Sequence, residues 1–214
     1  MTTCVYAGLG VHTSISQKFS FMSQFDRFIG FEPNPYQYAK IKDKASHMSG
    51  VEIYNVAVSD NDSNIEYYIA DDEVASSVYP LNSKTKNATK DMYIKDTVNI
   101  QCVHLGNFLK SIDVRAIDMY ISDIQGNDLT AIKSMENLLL SRSIGTIQAE
   151  VHGLNHSLYT GSCNKLHDFL SYAPLVDNYL LKSISFDGVT HRNNNTILKH
   201  ILNDFEYDVT WSGK

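Results

Sequence analysis

An α/β fold with a mostly parallel central sheet and helices on both faces is predicted by three features of this 214-residue chain. Short β-rich runs alternate with longer segments whose apolar residues recur at helical spacing. The first β run ends in Gly8-Leu9-Gly10, a tight turn at which a ligand can approach the backbone. The second ends in Glu32, 22 residues after Gly10. A carboxylate at that spacing can accept the hydroxyl protons of a nucleotide ribose.

The elements follow in order. Cys4 to Ala7 reads as the first strand, and Thr13 to Gln24 as a helix with Thr13 or Ser14 as its cap. Arg27 to Phe31 is the second strand. The next helix opens with Pro33 and Pro35 and carries Tyr38, Ile41 and Ala45 at helical spacing. Val51 to Val58 is the third strand, closed by a polar turn over residues 59–63. Ile65 to Ile69 and Val98 to Val103 are further strands, and the polar excursion from Asp71 to Asp96 between them is read as a substrate lid. Leu105 to Ile112 is a short helix and Ala116 to Ser122 a central strand. Leu129, Ile132, Met135 and Leu139 line one face of a single following helix. Thr146 to Val151 is a strand, Lys165 to Tyr172 and Thr196 to Phe205 are helical, and Tyr207 to Trp211 is the last strand. With no repeat or evident boundary, residues 1–214 read as one domain.

Composition narrows the function. Hydrophobic content of 43% and charged content of 20% are those of a globular protein. A net charge of −6, with no Lys or Arg cluster longer than two, argues against a nucleic-acid partner. Apolar runs such as Leu138-Leu139-Leu140 fall far short of the roughly 20 residues that span a bilayer. Cys4, Cys102 and Cys163 form no pair, and the N-terminus shows no basic region leading into an apolar run. Both features point to an intracellular, cytoplasmic setting.

The strand ends carry the chemistry. A dinucleotide site would continue to a third glycine where Thr13 stands, which disfavours NAD. Tyr36 and Lys40 have the YxxxK spacing of a dehydrogenase pair but sit too early in the chain for that role. An NAD-linked oxidoreductase, or a non-catalytic domain binding a nucleoside or glycan, stand as the alternative readings.

Four segments together resemble a known family. Phe31-Glu32-Pro33-Asn34-Pro35, Asn55-Val56-Ala57-Val58-Ser59-Asp60, the run from Ile117 to Asp128, and Ile147-Gln148-Ala149-Glu150-Val151-His152 are similar, in order and spacing, to FkbM-type methyltransferases. The resemblance covers roughly residues 4–152. It implies a Rossmann-like class I methyltransferase fold with an antiparallel last strand, S-adenosylmethionine as cofactor, and methylation of a hydroxyl on a sugar of a glycan or glycosylated metabolite. Carried onto this sequence, it sets Gly8 and Gly10 against the methionine part, Glu32 and Asn34 at the ribose, Ala57, Val58, Ser59 and Asp60 at the adenine edge, and Asp123 facing the methyl group. Three positions depart from the family: Tyr6 stands where an acidic residue is frequent, Ile121 where a Lys is common, and Asp128 where Glu is usual.

A sugar hydroxyl needs a base to accept its proton, and Asp123, Glu150 and His152 should lie near adjacent strand ends. His152 or Asp123 is the expected base, since an imidazole titrates near neutrality. The same trio is a candidate Mg²⁺ site, although the histidine suits that ion poorly. His152 and His156 have HxxxH spacing, but Gly153 and Asn155 break the helix such a zinc motif uses, which argues against zinc. Ser76, Ser77 and Tyr79 fall where family members carry a Ser-rich motif, and His191 lies in a polar loop suited to sugar hydrogen bonding. His12, in the glycine-rich turn, reads as a solvated loop residue. The first strand begins almost at Met1, without the helix that usually covers this face of the fold. That suggests a domain from a longer chain with a fused or partner glycosyltransferase, or a flank covered in a homo-oligomer.

Overall fold

A computed structural model describes residues 1–10, 15–82, 92–156, 158–162, 164–186, 189–191 and 206–214. His12, Thr13, Cys163, the 83–91 part of the excursion, the predicted helix over 196–205 and the His191 side chain lie outside these described residues.

The principal sheet is built from β1 (Thr3–Ala7), β2 (Arg27–Phe31), β3 (Val51–Tyr54), β7 (Ile117–Ser122), β8 (Ile144–His152), β9 (Tyr179–Phe186), β10 (Val189–His191) and β11 (Glu206–Gly213). Its order is β10-β9-β11-β8-β7-β1-β2-β3. Neighbours from β3 to β8 run parallel, and β11, β9 and β10 pair antiparallel. The chain therefore leaves β1 in one direction and returns at β7 on its other side. That reversal opens a crevice beyond the carboxyl ends of β1 and β7, where α/β sheets place ligands.

Alternation along the strands distributes side chains to two cores. Val5, Ala7, Ile29 and Phe31 pack on one face with Leu109, Ile132 and Leu139, while Cys4 and Phe28 pack on the other with Met22, Ile41 and Ala45. The second face is covered by α1 (Ile15–Met22) and α2 (Pro35–Ala45). Asn34 caps α2, its side-chain oxygen accepting the N–H of Tyr36 and Gln37. The first face carries α3 (Leu105–Ser111), α4 (Asp128–Ser134), α5 (Glu136–Leu140), α6 (Leu166–Ser171) and α7 (Ala173–Val176), with Phe169 stacked on Trp211 at 5.6 Å.

A second sheet, in the order β4-β6-β5, comprises β4 (Ala57–Ser59), β5 (Ser63–Ala70) and β6 (Ile94–His104). The predicted third strand over 51–58 is thus two strands in different sheets. Asn55 explains the break: its side-chain nitrogen donates to the carbonyls of Glu32 at 2.8 Å and Pro33 at 3.0 Å, so the chain turns away from β2 there. The predicted single helix carrying Leu129, Ile132, Met135 and Leu139 is likewise two. Met135 leaves helical geometry at φ −97° and ψ 23°, yet all four side chains remain in one core. The predicted last strand is present and longer, and β9, which pairs with it, was not predicted.

Candidate active site

A cavity of about 230 Å³ lies at the reversal point, walled by the ends of β1, β2 and β7, by β4 and by the chain following β5. Gly8 makes that junction close. Its φ is +82°, and a Cβ there would lie 1.9 Å from the Asp123 carbonyl oxygen. The Asp123 N–H in turn donates to Ala7 at 3.1 Å, so the first loop and the β7 turn touch backbone to backbone.

Glu32 is 3% exposed and lines the cavity. Its two carboxylate oxygens accept the N–H of Gly10 at 2.7 Å and of Asn34 at 2.9 Å. A carboxylate offers about four acceptor positions, and these two bonds set its plane. Gly8, Gly10, Asn34, Ala57, Val58 and Asp123, all singled out in the sequence, line the same cavity. Ser59 does not; it is buried, and its hydroxyl is 3.4 Å from Asp60 Oδ1.

At the β7 end, Gln125 joins Asp123 and Glu150 to Tyr159 and to the segment after β5. It adopts φ 52° in the turn before Gly126. Its side-chain nitrogen donates to Asp123 Oδ1 at 2.7 Å and Glu150 Oε1 at 3.2 Å, and its side-chain oxygen accepts the Tyr159 hydroxyl at 2.5 Å. Its carbonyl accepts the Ser77 hydroxyl at 2.7 Å. Tyr79 donates to Asn127 Oδ1 at 3.1 Å, and Asn127 donates to the Val58 carbonyl. Ser77 and Tyr79 thus tie the segment after β5 to the β7 turn, and Ser76 lines the cavity.

Asp123 lines the cavity, whereas Glu150 and His152 do not. Burial drives the Glu150 carboxyl well above its ordinary range, with Asp123 adding to the effect. Burial also lowers His152 to about 3, so its imidazole is neutral at physiological pH. Gln125 places an amide donor, rather than a metal-ligating oxygen, between Asp123 and Glu150.

Behind the turn, Asp128 accepts from Ser122 at 2.6 Å, from the Ile124 N–H at 3.3 Å and from Asn164 at 3.0 Å. Asn164 also donates to the Glu150 carbonyl and accepts the Leu129 N–H, clamping α4 to β8. Neither Asn164 nor Tyr159 stood out in the sequence, because each acts through long-range contacts with no local pattern. Gln148 and Asp208 also line the cavity, and of the two only Gln148 carried a signal. Gln148 shares strand phase with Glu150 and His152, and Asp208 pairs with Glu150 across β11 and β8.

The sequence profile described as the Methyltransferase FkbM domain matches residues 6–175. This chain belongs to the FkbM methyltransferase family. No curated protein matches it. Among solved structures, SMU.1697c of Streptococcus mutans, described as a methyltransferase in complex with SAH, is 10% identical with a TM-score of 0.50, covering 100% of this chain and 89% of that one. An rRNA-methylase from Clostridium thermocellum shares 11% identity at a TM-score of 0.49, covering 100% and 89%. At 10% identity the likeness to SMU.1697c is one of fold. The FkbM chain is an S-adenosylmethionine-dependent methyltransferase, and its cavity suits that cofactor: a buried, backbone-oriented carboxylate lines it, together with a glycine that has no room for a Cβ. Among the described residues no helix is long and apolar enough to cross a membrane.

Proposed function

We propose that this enzyme methylates a hydroxyl oxygen of a sugar unit in a glycan or glycosylated metabolite, with Asp123 as the base. The observation that carries this reading is the lining of the cavity. Carboxylates and carboxamides, among them Glu32, Asp123, Asp208, Gln37 and Gln148, line it together with apolar side chains, and no Lys or Arg is among the described lining residues. Such side chains match a polyol, whose hydroxyls both donate and accept. Glu32 and Asn34 would hold the ribose, and Ala57 and Val58 the base. S-adenosylmethionine supplies an activated methyl group when bound, so the chain's own task is to orient the acceptor oxygen and take its proton. Asp123 is the cavity carboxylate at the end of β7, and its bond from Gln125 fixes the direction of its Oδ1. Glu150 and Gln125 are positioning residues in this reading, and Ser76, Ser77, Tyr79 and His191 belong to the acceptor side.

The test is methyl transfer from isotopically labelled S-adenosylmethionine to a panel of glycosides and oligosaccharides, with product linkage read by NMR. An O-methyl sugar is expected. Asp123→Asn should lower turnover by about 10²–10⁴-fold while retaining S-adenosylhomocysteine binding. Label appearing instead on an amine, a thiol or RNA would overturn the reading.

A further inference from the structure

A group of metal-ligating side chains lies on the same face of β8 and β11 but outside the cavity. Inward-facing Ala149, Val151, Tyr207 and Val209 fill the core, which sends Glu150, His152, Glu206 and Asp208 to the opposite face. The antiparallel register sets Glu206 directly opposite His152. The loop after β8 then folds His156 back onto His152, with ring centroids 4.1 Å apart. No helix is required for this meeting, because Lys165 holds the loop by donating to the carbonyls of Gly153 and His156.

We propose that His152, His156 and Glu206 bind a divalent metal ion of the zinc type. One ligand atom from each lies within 4.8 Å of the others. His156 Nε2 is 3.1 Å from Glu206 Oε1. Two ligands held about 2.0–2.1 Å from a tetrahedral ion are separated by roughly 3.3–3.4 Å, so the His156–Glu206 pair is already near that spacing. The second observation is a pair of buried atoms. His152 Nε2 has no hydrogen-bond partner among the described residues, and neither has Glu150 Oε2, 3.5 Å from it. His152 is 1% exposed, and an imidazole nitrogen is not normally buried without a partner. Two imidazoles and a carboxylate favour zinc over Mg²⁺, which takes oxygen ligands. The site tethers the loop after β8, which carries Tyr159, to the last strand.

The test is calorimetric titration of the untagged, chelator-treated full chain with ZnCl₂ and, separately, MgCl₂. A single saturable zinc site with no comparable Mg²⁺ binding is expected. His156→Ala and Glu206→Gln should each weaken zinc at least about 10-fold with unchanged far-UV circular dichroism. Should His156→Ala fail to fold, Glu206→Gln alone decides. Absence of zinc binding, equal binding of Mg²⁺, or unchanged affinity in a folded variant overturns the proposal.

Discussion

The Gly10 N–H donates to Glu32 Oε2 at 2.7 Å, so the residue that follows β2 also sets the backbone of the loop leaving β1. Glu32→Ala therefore removes a ligand contact and leaves the Gly10 and Asn34 amides without this acceptor. Affinity for S-adenosylhomocysteine should fall about 10–100-fold, corresponding to one or two charge-assisted hydrogen bonds. Calorimetry on the variant checks this, and wild-type affinity would remove Glu32 from the site.

Gly8 tests the junction of the first loop with the β7 turn. Alanine there meets both a φ of +82° and the Asp123 carbonyl at 1.9 Å. Gly8→Ala should destabilise the fold by about 3 kcal/mol or more, lowering the melting temperature by roughly 6–12 °C. A wild-type melting curve would mean that the two loops do not touch as described.

These two positions also show what was legible in the sequence. Gly8 and Glu32 sit at fixed offsets from strand ends, so local pattern found them, and the family resemblance pointed to Asp123. Gln125 and Tyr159 were not legible as partners, because residues 34 apart meet only through the path of the intervening loop. The division of residues 51–58 between two sheets was hidden for a similar reason. Val51 to Val58 is rich in β-prone residues on both sides of Asn55, and the turn depends on Asn55 reaching carbonyls at the end of β2. The fold class itself was readable, since alternation and helical spacing are local.

Gln125 should act on turnover more than on cofactor affinity. Gln125→Leu removes the donor to Asp123 and Glu150 and the acceptor of Tyr159. Steady-state kinetics with an acceptor that the wild type methylates should show kcat reduced about 10-fold or more, with S-adenosylhomocysteine affinity changed less than about 3-fold. Equal losses in both would make Gln125 a cofactor-binding residue.

Asp128 gives the fold a specific pH dependence. Burial pushes its carboxyl up to about 7 from an ordinary 3.8, against the lowering effect of the Ser122 bond. Between those values the folded chain holds a proton that the unfolded chain has released, so the stabilisation from this group is complete below about 3.8 and is lost as pH rises through 7. Asp128→Asn lacks this titration, and it also sets an amide against the Asn164 donor, costing about 1–3 kcal/mol. Denaturant unfolding of both proteins across this range should show the wild type losing its advantage toward neutral pH. Parallel stability profiles would contradict the assignment.

The central claim is that the cavity between Gly8, Glu32 and Asp123 binds S-adenosylmethionine. Calorimetric titration of the chain with S-adenosylmethionine, S-adenosylhomocysteine and NAD in parallel tests it most directly. The first two should bind at a single site and compete with each other, and NAD should give no heat of binding. Binding of NAD without either sulfur nucleoside would contradict the account.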